Sequence, residues 1–233
     1  MSVALRVGVW VVVLGAVASS GCALRPAVRA EAVRPPRDLV VLVHGMGRSA
    51  LSMAPMELAL RRAGYRVLNV GYSSTGPGVA EIGAAVSAAV ARAGARERPG
   101  RVHFVGHSLG TVVIRWVLAH ERPATVGRVV LLAPPNRGAR VADRLTPYLG
   151  WYFRPMRELR TTGSTAVGLP APCDVEVAVI AGAGDRKVRV DETRLPCLAA
   201  HEVVPGGHTF LMMRRDVIRR TRCFLGTGAL DCS

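Results

Sequence analysis

Short, mostly hydrophobic blocks recur along the chain and alternate with longer amphipathic or alanine-rich stretches. The blocks are residues 38–43, 66–70, 102–105, 128–132, 175–181 and 202–204. Positions that stay apolar without alternating suit strands buried on both faces, as in a parallel sheet covered by helices. The stretches between them read as helices: from Ser49, a candidate cap, to Ala63, with Gly64 as the stop; then 79–93, 111–120 and 209–224. Strand and helix in alternation predict an α/β fold, a mostly parallel six-stranded sheet with helices on both faces. The rhythm breaks once, over about 136–172, where Pro147, Tyr148, Trp151, Tyr152 and Phe153 crowd together. That segment is too long for an ordinary connection and predicts a short cap. No internal repeat is visible.

The N-terminus has a different pattern. Arg6 precedes a 12-residue apolar run, Val7 to Ala18, which is shorter than the roughly 20 residues of a membrane-spanning helix. Ser19, Ser20 and Gly21 then lead into Cys22, as small residues do before a cleavage site. Residues 1–21 are therefore expected to be a signal peptide, 22–37 a tether rich in Pro and Arg, and 38–233 the folded domain. This end resembles a bacterial lipoprotein signal, which implies a lipid on Cys22; it departs from that pattern in having Ser19 where leucine is preferred. The expected location is the cell envelope or periplasm, with a lipid anchor on Cys22, a cleaved soluble form or an uncleaved anchor.

Composition adds two points. Four cysteines remain beyond Cys22, an even number in an exported chain, so two disulfides are expected: Cys173–Cys197 and Cys223–Cys232, each the nearest pair in sequence. No C-x-x-C or clustered Cys/His spacing suggests zinc. The net charge of +15 is carried almost wholly by arginine, Lys187 being the only lysine. The arginines are scattered, with no run interleaved by aromatics, so nucleic acid is not an expected partner. An anionic membrane surface is the alternative to simple compositional bias.

The chemistry centres on V-H-F-V-G-H-S-L-G at 102–110. A strand running through Gly-x-Ser-x-Gly into a helix makes a sharp turn with Ser108 at its tip. Side chains at Gly106 or Gly110 would collide with the packed neighbours. A serine alcohol needs a base to take its proton, and the base needs an orienting carboxylate. Asp185 follows the fifth predicted strand and His208 follows the sixth, beyond the carboxyl ends where open α/β sheets collect function. Asp191 and Glu192 are rival acids. His201 precedes the sixth strand, at the wrong end of the sheet. His103 reads as packing, and His107 as a structural neighbour of the serine. The loop His44-Gly45-Met46-Gly47 after the first strand can turn the Met46 N–H inward, opposite the Leu109 N–H, to bind an oxyanion. Gly182-Ala183-Gly184 lacks the third glycine of a dinucleotide fingerprint, so no cofactor is implied.

These motifs resemble the α/β-hydrolase superfamily, in particular bacterial lipases and esterases with an H-G-x-G oxyanion loop. The carrying segments are V-V-L-V-H-G-M-G at 40–47, V-G-H-S-L-G at 105–110, L-L-A-P-P-N-R-G at 131–138, A-G-A-G-D-R-K-V at 181–188 and G-G-H-T-F-L at 206–211. The resemblance implies Ser108 as nucleophile, Asp185 as acid, His208 as base, and Met46 and Leu109 as oxyanion donors. It departs from larger members in lacking their first two antiparallel strands and in its short cap, which favours a compact esterase. The expected function is serine-dependent cleavage of small-molecule or lipid carboxylic esters, with Trp151, Tyr152 and Phe153 as a candidate acyl site. The alternatives are a thioesterase, amidase or acyltransferase on the same three residues, or a non-catalytic envelope lipid-binding module.

Overall fold

The computed structural model describes residues 38–97 and 99–232. The expected signal peptide, the tether and Cys22 lie outside them. Six strands, Leu39–Val43 (β1), Arg66–Val70 (β2), Val102–His107 (β3), Val126–Leu132 (β4), Val177–Gly182 (β5) and Ala200–Val204 (β6), form one sheet in the order β2-β1-β3-β4-β5-β6. Every pairing is parallel. The helices are Ala54–Arg62 (α1), Val79–Glu97 (α2), Leu109–His120 (α3), Arg140–Leu149 (α4), Arg154–Arg157 (α5), Thr165–Gly168 (α6) and Arg215–Thr227 (α7).

The uninterrupted apolar blocks are explained by two cores, one on each side of the sheet. Leu39, Val41 and Val43 of β1 enter a core with α2, α3 and the insertion. Val40 and Leu42 point the other way, against Met56 and Leu60 of α1 and Val217 and Phe224 of α7. Successive strand residues face opposite sides, so both sets must be apolar when both sides are covered.

Some boundaries moved from those expected, each for a local reason. The helix expected from Ser49 begins instead with a 3-10 turn, Ala50–Met53, and becomes α-helical only at Ala54. Pro55 sits in the first turn of α1, the place where its missing N–H costs nothing. Ser49 makes no side-chain cap bond. The last helix starts at Arg215, after a 3-10 turn over Leu211–Met213, and ends on Gly228 in the left-handed conformation (φ 85°). His201 lies within β6 rather than before it, and its Nε2 pairs with Thr193 Oγ1 at 2.9 Å.

The break in the rhythm folds as α4, α5 and α6 between β4 and β5. Disulfides join Cys173 to Cys197 and Cys223 to Cys232, the expected pairs, with Cα–Cα distances of 5.1 and 5.5 Å.

Candidate active site

From β1 the chain moves outward to β2, then returns to β3 on the other side of β1. The strand order therefore reverses between β1 and β3, and the loops leaving their carboxyl ends part to leave a crevice. The loop after β1 is His44 to Gly47, and the turn after β3 is Ser108. Ser108 has φ 53° and ψ −121°, a conformation that side chains rarely adopt. It holds because the packing around it leaves no alternative. Its N–H donates to Leu132 O at 2.9 Å, and Thr111 Oγ1 donates to its carbonyl at 2.6 Å. A Cβ on Gly110 would lie 2.2 Å from Val43 O, so the start of α3 sits directly against β1. Only glycine permits that approach.

The three expected residues come together. Ser108 Oγ is 2.8 Å from His208 Nε2, and His208 Nδ1 is 2.7 Å from Asp185 Oδ2. A carboxylate can only accept, so Nδ1 carries the ring proton and Nε2 is left to accept from the serine. Asp185 Oδ1 accepts from the N–H groups of Lys187 (2.8 Å) and Val188 (2.9 Å), which fixes the carboxylate. All three residues are buried, Ser108 at 9% exposure, Asp185 at 8% and His208 at 8%. The rival acids are engaged elsewhere. Asp191 is paired with Arg140 on the surface, while Glu192 accepts from the Arg140 and Arg189 N–H groups.

His107 supports His208 from below. Its Nε2 donates to the His208 carbonyl at 3.0 Å, and the two rings lie 4.9 Å apart. Burial pushes its pKa from the ordinary 6.5 down to about 3, with the neighbouring His208 adding to the effect. A consequence for stability follows. The unfolded chain takes up a proton at this residue below about pH 6.5 and the folded chain only near pH 3, so the stability is complete above 6.5 and is lost as the pH falls. At pH 5 His107 alone is expected to cost about 2 kcal/mol. Urea unfolding at pH 7 and pH 5 checks this: His107→Asn should lose about 2 kcal/mol less than wild type on that step, and equal losses would refute it.

The His44–Gly47 loop is braced by residues that carry no motif of their own. Gly47 N–H donates to Ser74 Oγ at 3.0 Å, and Ser74 Oγ reaches the Arg48 carbonyl at 3.4 Å. Tyr72 stacks on the buried His44 ring, with centroids 4.0 Å apart, and its hydroxyl donates to the His44 carbonyl. Tyr72 and Ser74 both follow β2, so no local sequence signal ties them to a loop almost 30 residues earlier. Among the described residues, neither the Met46 nor the Leu109 N–H donates to a protein acceptor, although Leu109 is fully buried. Gly45 and Gly47 lie in the loop after β1 as expected, whereas Gly106 belongs to β3 and Gly110 to the first turn of α3, on either side of Ser108.

A cavity of about 180 Å³ opens beside Ser108 and His208. Its apolar wall is Val141, Ala142, Leu145, Met156 and Leu159, all from the insertion. The aromatic triplet is not part of it. Trp151 and Tyr152 are 74% and 54% exposed, and Phe153 packs beside Gly47 and the core. The acyl-site expectation for Trp151, Tyr152 and Phe153 is therefore corrected. The turn after α4 leaves Trp151 and Tyr152 at the surface and packs Phe153 beside Gly47, while Val141, Ala142 and Leu145 of α4 line the cavity. A larger groove of about 730 Å³, lined by small residues of α2 and by Pro123 to Thr125 after α3, contains none of the triad residues.

The alpha/beta hydrolase family profile matches residues 40–171, more than half of the 233. The chain belongs to the alpha/beta hydrolase family. No curated protein matches it by sequence. Among solved structures, the mature lipase of Bacillus licheniformis superposes with a TM-score of 0.66 at 18% identity, covering 81% of this chain and 91% of that one. A phospholipase of Legionella pneumophila gives 0.66 at 16%, covering 84% and 59%. The Pyrococcus furiosus esterase gives 0.61 at 18%, covering 84% and 85%. At these identities the likeness is one of fold. The profile ends before Asp185 and His208.

Proposed function

We propose that the protein is a serine hydrolase of carboxylic esters. The observation that carries this reading is the unbroken hydrogen-bond line from Ser108 through His208 to Asp185, drawn from three strand ends and opening on an apolar cavity. In the forward step His208 Nε2 takes the Ser108 proton as Oγ attacks the ester carbonyl. The carbonyl oxygen becomes an oxyanion, and the unpaired Met46 and Leu109 N–H groups are placed to receive it. As the tetrahedral species collapses, His208 returns the proton to the departing alcohol, leaving an acyl group on Ser108. Water, deprotonated by the same nitrogen, then attacks the acyl carbon, and His208 returns that proton to Ser108 Oγ as the acid departs. Asp185 holds the imidazole tautomer throughout and balances the charge that His208 gains.

The two disulfides support an exported enzyme, in which Cys22 would carry the lipid anchor. The same three residues serve thioesters equally well, and ester against thioester preference is decided by the acceptor pocket rather than by the triad. Incubation with a fluorophosphonate tests the reading directly. Wild type is expected to gain one covalent adduct, mapped to Ser108 by peptide mass spectrometry. A folded, unlabelled protein would refute it.

A further inference from the structure

The cavity lining is of two chemical kinds. Besides the apolar residues of α4 and α5 it includes two cations, Arg48 and Lys187. Arg48 lies over the Phe210 ring, 5.6 Å from its centroid, and its Nη2 donates to the Thr209 carbonyl at 3.4 Å. Lys187 follows Asp185 by two residues and lines the same cavity. Both charges are close enough to His107 to help hold that ring neutral. Among the described residues, neither forms an ion pair. Other surface arginines, such as Arg137 and Arg215, also make no ion pair among the described residues, so what sets Arg48 and Lys187 apart is their place in the cavity lining. Among the described residues no carboxylate lines the cavity, and nearby Asp185 is buried and satisfied by His208 and two backbone amides.

The side on which these cations stand matters. Arg48 is tied to Thr209, the residue after His208, and Lys187 belongs to the loop that holds Asp185. Both therefore flank the base, which is where the departing alcohol must sit to receive its proton. The apolar wall from the insertion is left for the acyl chain.

We infer that the substrate is an amphiphilic ester with an apolar acyl chain and an anionic group, phosphate or carboxylate, on its alcohol part, held by Arg48 and Lys187. This rests on the serine-hydrolase reading above. Two charge-assisted contacts at a partly solvated rim are together worth about tenfold in kcat/KM at low salt. Screening weakens them as salt rises.

The test uses monomeric short-chain esters, so that no lipid surface contributes: 1-hexanoylglycerol as the neutral ester, 1-hexanoylglycerol 3-phosphate, and the hexanoyl ester of glyceric acid. Wild type should favour the anionic esters over the neutral one by about tenfold, with the preference shrinking in added sodium chloride. The phosphate and carboxylate arms show which anion is preferred. In R48Q/K187Q the ratio of anionic to neutral kcat/KM should fall to about one, the loss expected once both contacts are gone. A wild type without preference, or a double variant that loses equally on all three esters, overturns the inference. Fluorophosphonate labelling of the same preparations separates the two readings. Labelled protein without anion preference removes only the substrate class, whereas unlabelled protein removes the hydrolase reading and this inference with it.

Discussion

Ser108→Ala is expected to lower ester turnover by on the order of 10⁴- to 10⁶-fold while leaving the fold in place. The side chain's hydrogen bond is to His208 Nε2. What fixes the turn is main chain: the Ser108 N–H on Leu132 O and the Thr111 hydroxyl on the Ser108 carbonyl, both kept by alanine. Alanine also keeps the unusual φ, so the strain is unchanged. Asp185→Asn should cost about 10⁴-fold, because an amide can donate to Nδ1 and so favours the tautomer with its proton on Nε2, facing the serine. Initial rates on p-nitrophenyl butyrate, with thermal unfolding as a control, check both. Turnover by Ser108→Ala within tenfold of wild type would mean that another group attacks the ester.

Arg115→Met is expected to destabilise the protein by about 3–5 kcal/mol and to loosen the insertion. Arg115 projects from α3, is 2% exposed and makes no ion pair with a carboxylate among the described residues. Its guanidinium instead donates to backbone carbonyls: Ala166 at 2.8 Å, Leu169, and more distantly Pro170 and Asn136. Burial brings its pKa down to about 10, so it remains charged at neutral pH. These carbonyls belong to the two ends of the insertion, and one side chain satisfies both. Methionine fills much of the volume but offers no donor, so the buried carbonyls lose their partner at about 1–3 kcal/mol each. Urea unfolding measures the first effect. Limited proteolysis should cut within 136–172 in the variant before wild type is cut. Unfolding within 1 kcal/mol of wild type would show that water replaces the guanidinium.

Much of this architecture was legible from pattern alone. The apolar blocks mark the strands most plainly where both sides are covered, as in β1, β3 and β5, while the edge strands β2 and β6 are only partly buried. Ser108, Asp185 and His208 could be picked out because each lies in the turn or loop that leaves the carboxyl end of β3, β5 or β6, and the sheet itself sets where those ends lie. The cysteine pairs were legible for a similar reason, being short in sequence. The aromatic triplet is the exception. Trp, Tyr and Phe in one run show that a segment can bury apolar surface, but not which way its backbone will turn them.

The sequence by itself determined the elements, the parallel sheet and the residue types that stand at its carboxyl edge, since these depend on local periodicity and on turn chemistry. Tertiary structure alone decided the rest. It placed Tyr72 and Ser74 behind the His44–Gly47 loop, anchored the insertion on Arg115, and put Leu145 and Met156 rather than Trp151, together with Arg48 and Lys187, in the lining of the cavity beside Ser108. Each of those contacts joins residues distant in sequence. Only closing the loops between them, at an entropic cost met by burial of the two cores, brings them within reach.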